Sequence, residues 1–369
     1  MSDSFDLLVV GGGLVGSAIA WGAARQGARV GLLDEGDTAF RASRGNFGLV
    51  WVQGKGANMP AYARWTLRSS ELWPELAGDM AAKTGLDVAL RQPGGLIFCL
   101  SEAELEQRAA LIQRMHNESG DIGTRIIHRD ELRAMVPAIG DRVVGAAYCP
   151  RDGHASPLYT LRALQQALVA AGGTYLPNHM VDRIDPTEGS FTVQAGANTL
   201  RSGKIVIAAG LGAARLAPMV GLDMPVTPLR GQILVTERMR PFLDYPGHTI
   251  RQTAEGSVML GDSHEDVGFN AGTTAAAMHE IAARNLAALP CLADATVVRV
   301  WGALRVMTPD GFPVYDQSET HPGAFSAACH SGVTLAGAHA LALAPAILAG
   351  ALPQGFETFS SRRFHVQAA

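Results

Sequence analysis

The stretch DLLVVGGGLVGSAIAWGAARQGARVGLLDEG, residues 6–36, decides how the chain is read. An apolar run ends in glycines at 11, 13 and 16, a small-residue segment of helical character follows, and a second apolar run ends in Asp34 and Glu35. Gly11 permits the turn out of a strand, Gly13 lets the backbone approach a pyrophosphate, and Gly16 lets the next helix pack close to the strand. The amides of Leu14 and Val15 then lie at the positive end of that helix and point at phosphate. Asp34 stands 34 − 11 = 23 positions beyond the first glycine, where a carboxylate accepts both hydroxyls of an adenosine ribose and repels a 2′-phosphate. A strand over 5–10, a helix over 14–27 and a strand over 29–34 make a βαβ dinucleotide-binding unit. The alternative is a glycine-rich βα turn without a ligand.

The rest of the sequence restricts what that unit serves. At 369 residues the chain can form two interlocked domains, and 47 % hydrophobic against 17 % charged residues describes a packed globular protein. A formal net charge of −4 gives no general attraction to nucleic acid. Cys99, Cys149, Cys291 and Cys329 stand far apart, with no CxxC or CxxH spacing. No metal site and no disulfide framework is therefore expected, and the cytoplasm is the expected location. MSDSFD has no basic region, and the apolar run after it already holds the glycine motif, so no cleaved signal peptide is expected. Gly332–Leu352 is uncharged and long enough to span a membrane, but it is rich in Gly and Ala and carries His339 and Pro345. It is expected to be a buried or partner-facing helix and no membrane span.

Along the chain, the spacing of Trp65, Leu72, Trp73 and Leu76 predicts a helix from Ala61. Strands are expected over 87–100 and 140–150 around a polar helix at 101–118. A helix is expected from Ser156 to the Gly172–Gly173 turn. Further strands are expected over 204–209, 226–236, 256–261 and 297–306, and a helix over 273–288. Dinucleotide elements thus stand at the start, near 205–210 and at the end, with different material between them, which implies two domains built of discontinuous segments. No His, Tyr–Lys or metal constellation of a nicotinamide dehydrogenase stands out. Instead, ASRGNFGL (42–49) offers Ser43 and Arg44 to a pyrophosphate and the run Gly45, Asn46, Phe47, Gly48 to a flat ring. KIVIAAGLGAARL (204–216) ends a strand in a small-residue turn, and WGALRVMTPDGFPVYD (301–316) is followed by ACHSGVTLAGAHALALAP (328–345).

Taken in this order, these segments resemble the FAD-dependent amine and amino-acid oxidoreductases related to D-amino-acid oxidase, glycine oxidase and monomeric sarcosine oxidase, over nearly the whole chain. GGGLVG at 11–16 with Asp34 matches that family's ADP-binding elements, and SRGNFG, leading into Leu49, matches its loop beside the pyrophosphate and isoalloxazine. Val181 matches the position whose backbone meets the adenine, and Ala208, Ala209 and Gly210 match a second strand turn against the cofactor. GALRVMTPDGFP, from Gly302, matches a GLRP-TPDG-P pattern, with Val306 where the family often has proline. GNFGLVWVQGKG (45–56) is similar to the flavin subunits of heteromeric opine oxidases and D-hydroxyproline dehydrogenases, in which partner subunits carry further redox groups.

The resemblance implies an α/β fold. An FAD-binding Rossmann-like domain of the glutathione-reductase type (1–85, 141–220 and 300–369) would carry a second α+β substrate domain on an antiparallel sheet (86–140 and 221–299). It implies FAD, held non-covalently, because Cys329 directly precedes His330 and does not match the cysteine that anchors the flavin in sarcosine oxidases. FMN and an iron–sulfur cluster would be shared with, or carried by, partner subunits.

The implied chemistry, oxidation of a CH–NH or CH–NH2 donor, depends mainly on positioning: a neutral amine presents its α C–H to the flavin, and the resulting imine hydrolyses. Arg305 is expected to hold the substrate carboxylate through two parallel bonds, the alternative being a salt bridge between strand and loop. His330, Ser331 and Gly332 are expected to begin the C-terminal helix, their amides, with Val333 and Thr334, facing negative charge on the reduced cofactor. His264, in GDSHEDVGF, would reach the substrate or be a solvated loop histidine; Lys55 would meet the ring edge or an oxygen site, or be an exposed lysine. The expected enzyme dehydrogenates a secondary amine, an opine such as octopine or nopaline, as the flavin subunit of a heteromeric complex. The alternatives are a D-hydroxyproline or D-amino-acid dehydrogenase, an oxygen-using glycine/sarcosine-type oxidase, a nicotinamide dehydrogenase, and a subunit that keeps FAD as a structural brace.

Overall fold

The computed structural model describes residues 4–36 and 42–365; Met1–Asp3, part of the N-terminal stretch read above for a leader, lie outside them. The opening motif folds as β1 (Ser4–Val10), α1 (Leu14–Ala24) and β2 (Val30–Leu33). β1 is central in an eight-stranded sheet. On one side it pairs parallel with β2, which pairs parallel with Thr174–Leu176; on the other it pairs parallel with Asn198–Ile207. That strand pairs parallel with Ala324–Ala328, and Val314–Gln317 closes the edge antiparallel. A meander of Arg183–Thr187 and Ser190–Ala195, which the sequence pattern does not announce, leads into Asn198–Ile207.

α1 is buried along its whole length except for half-buried Val15. Its small residues make that possible. A Cβ added at Gly16 would lie 1.9 Å from the Gly11 carbonyl oxygen, and one at Gly22 would lie 2.1 Å from that of Ala340. The helix Pro60–Thr84 starts on a proline, the residue preorganised for a first helical position, and ends where Gly85 takes φ +72°. It buries Trp65, Trp73 and Leu76, as their spacing predicts, and Tyr62 as well. Ser69 Oγ donates to the Thr334 carbonyl at 2.7 Å and Trp73 Nε1 to that of Val333 at 3.0 Å, so this helix clamps the C-terminal turn in place.

The apolar stretch Gly332–Leu352 is not one helix. It comprises Ala336–Ala338, a wide π turn at His339–Leu343 and Ala344–Ala349. Pro345 supplies the reason: it has no N–H, and its ring would crowd the carbonyl four residues back, so the turn ahead of it widens. Among the described residues no helix is long and apolar enough to cross a membrane.

Leu49–Val50 pairs antiparallel with Gly153–His154, and the remaining described strands form two larger antiparallel sheets. Ile250–Gln252, Ser257–Leu260, Thr227–Arg238 and Val297–Met307 make one, and Gly95–Cys99, Gly145–Cys149 and Arg125–His128 the other. His248 N donates to the Leu96 carbonyl at 3.0 Å and Leu96 N to that of Pro246 at 2.9 Å, joining the two sheets, and Leu96, Leu234, Ile250, Leu260 and Ile281 share their core. Two segments sit differently from the expected ranges. Gly145–Cys149, expected with the first domain, pairs with Gly95–Cys99 and Arg125–His128; Val297–Met307, expected to divide at 300, pairs as a single strand with Thr227–Arg238. A strand's alternation reveals which face is buried but not which strand lies beside it.

Candidate active site

At the end of β1, Gly11 takes φ +111°, and a Cβ there would meet the Ala208 carbonyl oxygen at 2.4 Å, so the glycine turn and the Ala208–Gly210 turn touch backbone to backbone. Gly12 N donates to Asp34 Oδ2 at 2.7 Å and Gly36 N to Oδ1 at 3.0 Å, which holds the carboxylate beside the glycine turn. Leu14 N donates to Ser43 Oγ at 2.9 Å, so Ser43 covers the N-terminus of α1. Bare glycine backbone, helix amides at the positive end of the dipole and an acid at the end of β2 fit the diphosphate and ribose of FAD: Gly13, Leu14, Val15 and Ser43 would hold the phosphates and Asp34 the ribose. His179 N donates to the Asp34 carbonyl at 2.7 Å, which brings the segment with Val181 alongside; Val181 is buried, and its carbonyl accepts from Arg215. Glu35 and Arg44 are exposed next to this region.

The loop after Ser43 leads to the second half of the site. Asn46 Oδ1 accepts from Gly48 N at 2.8 Å, Trp301 Nε1 donates to the Gly45 carbonyl at 3.1 Å, and buried Arg251 donates to the Phe47 carbonyl. Asn46, Phe47 and Leu49 face a cavity of about 200 Å³. The C-terminal turn contributes His330, Ser331, Val333 and Thr334, and the antiparallel sheet contributes Arg305. Lys55 and His264 also line it. A Cβ added at Gly332 would sit 3.6 Å from both Leu14 and Val15, so the same C-terminal turn packs on the start of α1. Loop, turn and helix N-terminus thus converge, which is what a cofactor joining a diphosphate to a flat ring requires.

His330–Gly332 do not begin the helix as expected. Residues 332–335 form a turn, and the first α-helical residue is Ala336. β-Branched Val333 and Thr334 favour this, and Thr334 Oγ1 accepts from Trp51 N at 3.1 Å and donates to the Leu49 carbonyl at 3.2 Å, tying the turn to a strand. Gly302 also stands apart. It is three residues from Arg305, on the opposite face of the strand, and its Cβ space is filled by the Ala271 and Gly272 carbonyl oxygens, each 2.7 Å away.

The cavity carries strong fields. Lys55 Nζ donates to Ser331 Oγ at 2.6 Å, and burial pushes its pKa down to about 8. His330 is held well below the usual histidine range by the Lys55 cation and by burial, and burial pushes His248 down to about 4, so both are neutral at pH 7. Burial pushes the Cys329 thiol up to about 12, which leaves it protonated and unreactive. Arg305 ion-pairs with Asp262 and donates to the Ser263 carbonyl at 2.8 Å and to that of Arg230 at 3.2 Å: the strand-to-loop salt bridge is present. His264 is 61 % exposed, with Nε2 3.9 Å from Asp262 Oδ2.

Four lining residues were not anticipated: Trp51, His248, Asp262 and Met307. Asp262 lies two positions before His264 in the quoted GDSHED run, and Met307 alternates with Arg305 on its strand, so both carried a local signal. His248 carried none. Among the described residues no group of three or more His, Cys, Asp or Glu could hold a metal ion.

A chain with this parallel sheet, glycine turn and loop-lined cavity falls in a known class. Residues 6–346 match the family described as FAD dependent oxidoreductase (DAO), and the chain belongs to that family of FAD-dependent enzymes. It is 45 % identical over 366 residues to an opine oxidase subunit of Agrobacterium tumefaciens (strain Ach5), and 45 % identical over 369 residues to an opine oxidase subunit of Rhizobium meliloti; each match covers 99 % of both chains. Among solved structures, glycine oxidase from Geobacillus kaustophilus superposes with a TM-score of 0.88 at 25 % identity, covering 97 % of this chain and 98 % of that one.

Proposed function

We propose that the chain is the catalytic flavin subunit of a heteromeric enzyme that oxidises the C–N bond of an opine, a secondary amine flanked by two carboxylates, to an imine that hydrolyses to an amino acid and a keto acid. The observation that carries this is the full-length 45 % identity to two proteins named as opine oxidase subunits. The cavity supports it. It presents two cationic side chains, Arg305 and Lys55, to a substrate with two carboxylates.

When bound, FAD supplies a two-electron acceptor for the hydride on the carbon next to nitrogen. The chain's own residues do the positioning. Arg305 leaves Asp262 and takes one carboxylate through its planar fork, and Lys55, held by Ser331, draws the second. Neutral His330 and His248 add no positive charge against the amine, and Asn46, Phe47, Leu49, Val333 and Thr334 line the cavity around it. Protonated Cys329 supports a non-covalent cofactor. The word subunit in the relatives' names supports partner chains, which would carry FMN or an iron–sulfur relay. Four unpaired cysteines support a reducing cytoplasm.

Anaerobic visible spectroscopy tests the reading, on the chain alone and co-expressed with the products of its neighbouring genes. Octopine or nopaline should bleach the flavin band, and air should restore it slowly unless oxygen is the acceptor. Bleaching by D-hydroxyproline, sarcosine or simple D-amino acids alone would move the substrate class. A yellow protein bleached by none of these would point to a structural flavin.

A further inference from the structure

Arg251 is 4 % exposed, and among the described residues its guanidinium forms no ion pair. It projects from the strand Ile250–Gln252, and its bonds go to neutral acceptors. Nε donates to the Phe47 carbonyl, Nη2 donates to Met259 Sδ at 2.9 Å, and Nη1 stands 3.4 Å from His154 Nδ1. A thioether is a weak acceptor. Burial pushes the histidine down to about 3, so it carries no charge at neutral pH. The acid that attracts the guanidinium, Glu255, is bonded to Thr253 and Tyr159 instead. Burial brings the arginine itself from 12.5 to about 10, which leaves it cationic at neutral pH. A buried cation without an anion opposes folding.

The position of this charge indicates the anion it serves. The guanidinium lies against the loop assigned to the flavin: a Cβ added at Gly48 would meet Nη2 at 2.8 Å, and the guanidinium carbon is 5.8 Å from the centre of the Phe47 ring. Asn46, Phe47 and Leu49 line the cavity, so Phe47 meets the cavity and the buried cation at once. A hydride leaving a neutral amine carries two electrons and one proton. The amine becomes an iminium cation, and the cofactor gains one negative charge. In a low-dielectric interior, a fixed cation close by favours that product.

We propose that Arg251 is a positioning residue for the flavin loop whose unpaired charge stabilises the reduced cofactor, and so sets how readily the flavin takes electrons from the amine. The inference rests on FAD binding and goes beyond the opine reading, because it holds for any amine donor. The charge acts in both directions. It strengthens the flavin as an oxidant of substrate and weakens the reduced flavin as a donor to the next acceptor.

The test is the two-electron midpoint potential of the FAD-loaded protein, taken without substrate by dithionite titration against an indicator dye. Arg251→Met, unbranched and uncharged, should shift the equilibrium about tenfold or more toward oxidised flavin, which is about 30 mV for a two-electron couple. Arg251→Lys, measured at about pH 6, where a lysine buried as deeply as Lys55 keeps its proton, should recover most of that shift. A midpoint unchanged in Arg251→Met overturns the proposal. So does an equal fall in both variants, which would make Arg251 a support for the loop and nothing more. If either variant loses FAD, the wild-type protein decides. A midpoint above that of free FAD means that the site binds the reduced form more tightly and supports the proposal; one at or below it overturns the proposal. No amine enters the measurement, so its outcome is independent of whether opines are the substrates.

Discussion

Lys55 Nζ donates to Ser331 Oγ over 2.6 Å, although the two residues are 276 positions apart in the chain. Tyr62 donates to the same oxygen at 2.8 Å, so the serine holds the lysine from one side and is itself held from the other. Burial brings the lysine pKa from 10.5 to about 8. Below that value the group is cationic, and above it neutral. Affinity for a dianionic substrate should therefore weaken as pH rises through about 8, where an ordinary lysine would hold its charge for about two units more. Half-saturating concentrations from anaerobic flavin reduction should be flat below pH 8 and climb above it. Lys55→Arg should stay flat to higher pH, and Lys55→Met should bind weakly throughout. A wild-type profile flat to about pH 10 would remove Lys55 from substrate binding.

Arg305→Ala should raise the half-saturating substrate concentration about a hundredfold while FAD stays bound, because the guanidinium fork is the group best shaped for a carboxylate in this cavity. The substitution also leaves Asp262 without a partner, which adds to the loss. Arg305→Ala combined with Asp262→Ala separates the two effects: the part due to the stranded acid should be recovered, and the part due to the carboxylate should not. Unchanged affinity in Arg305→Ala sinks the assignment.

Gly16 tests the cofactor half. A methyl group there would lie 1.9 Å from the Gly11 carbonyl oxygen, a backbone atom that cannot move without shifting β1 or α1. Gly16→Ala should yield protein with little flavin absorbance and a lower unfolding midpoint that added FAD does not restore. Gly27→Ala makes a suitable contrast. Gly27, unlike Gly16, has positive φ, but its Cβ would meet nothing within 4 Å, so only backbone strain is added and FAD should be retained.

These residues also mark what could be read from sequence. Gly11, Gly13, Gly16 and Asp34 act through neighbours in one βαβ unit, so their spacing encodes their placement. Arg305 and His330 were legible because they lie in patterned segments. A strand-to-loop salt bridge was the stated alternative for Arg305, but its partner Asp262 was not legible, because a strand pattern shows alternation and not the loop that will cover it; the same limit moved Gly145–Cys149 to another sheet. His248 reaches the cavity only through the pairing of Leu96 with the segment around Gly247, a contact between segments about 150 residues apart that no local pattern records. The π turn near Pro345 was hinted at by the proline, but the close approach of its Ala340 carbonyl to α1 at Gly22 was not.

Asp152 offers a test of how the Lys55 loop is held. Its carboxylate is fully buried and accepts from Val52 N at 2.5 Å, Gln53 N at 3.2 Å and Gln53 Nε2 at 2.6 Å. Burial nevertheless dominates and raises its pKa from 3.8 to about 7. Between those values the folded protein binds more protons at this site than the unfolded chain, so the site's contribution to stability falls as pH rises from about 4 to 7 and is constant above. Asp152→Asn removes the titration. The asparagine oxygen still accepts from the two amides, but Gln53 must turn its own oxygen toward the new NH2 and so gives up its 3.1 Å bond to the Gly95 carbonyl. The variant should therefore melt below wild type at pH 5, by several degrees, and the gap should narrow or reverse by pH 8. Thermal midpoints of both proteins across that range check it. A gap that stays constant from pH 5 to 8 would mean the carboxylate is ionised throughout and the three donors outweigh burial.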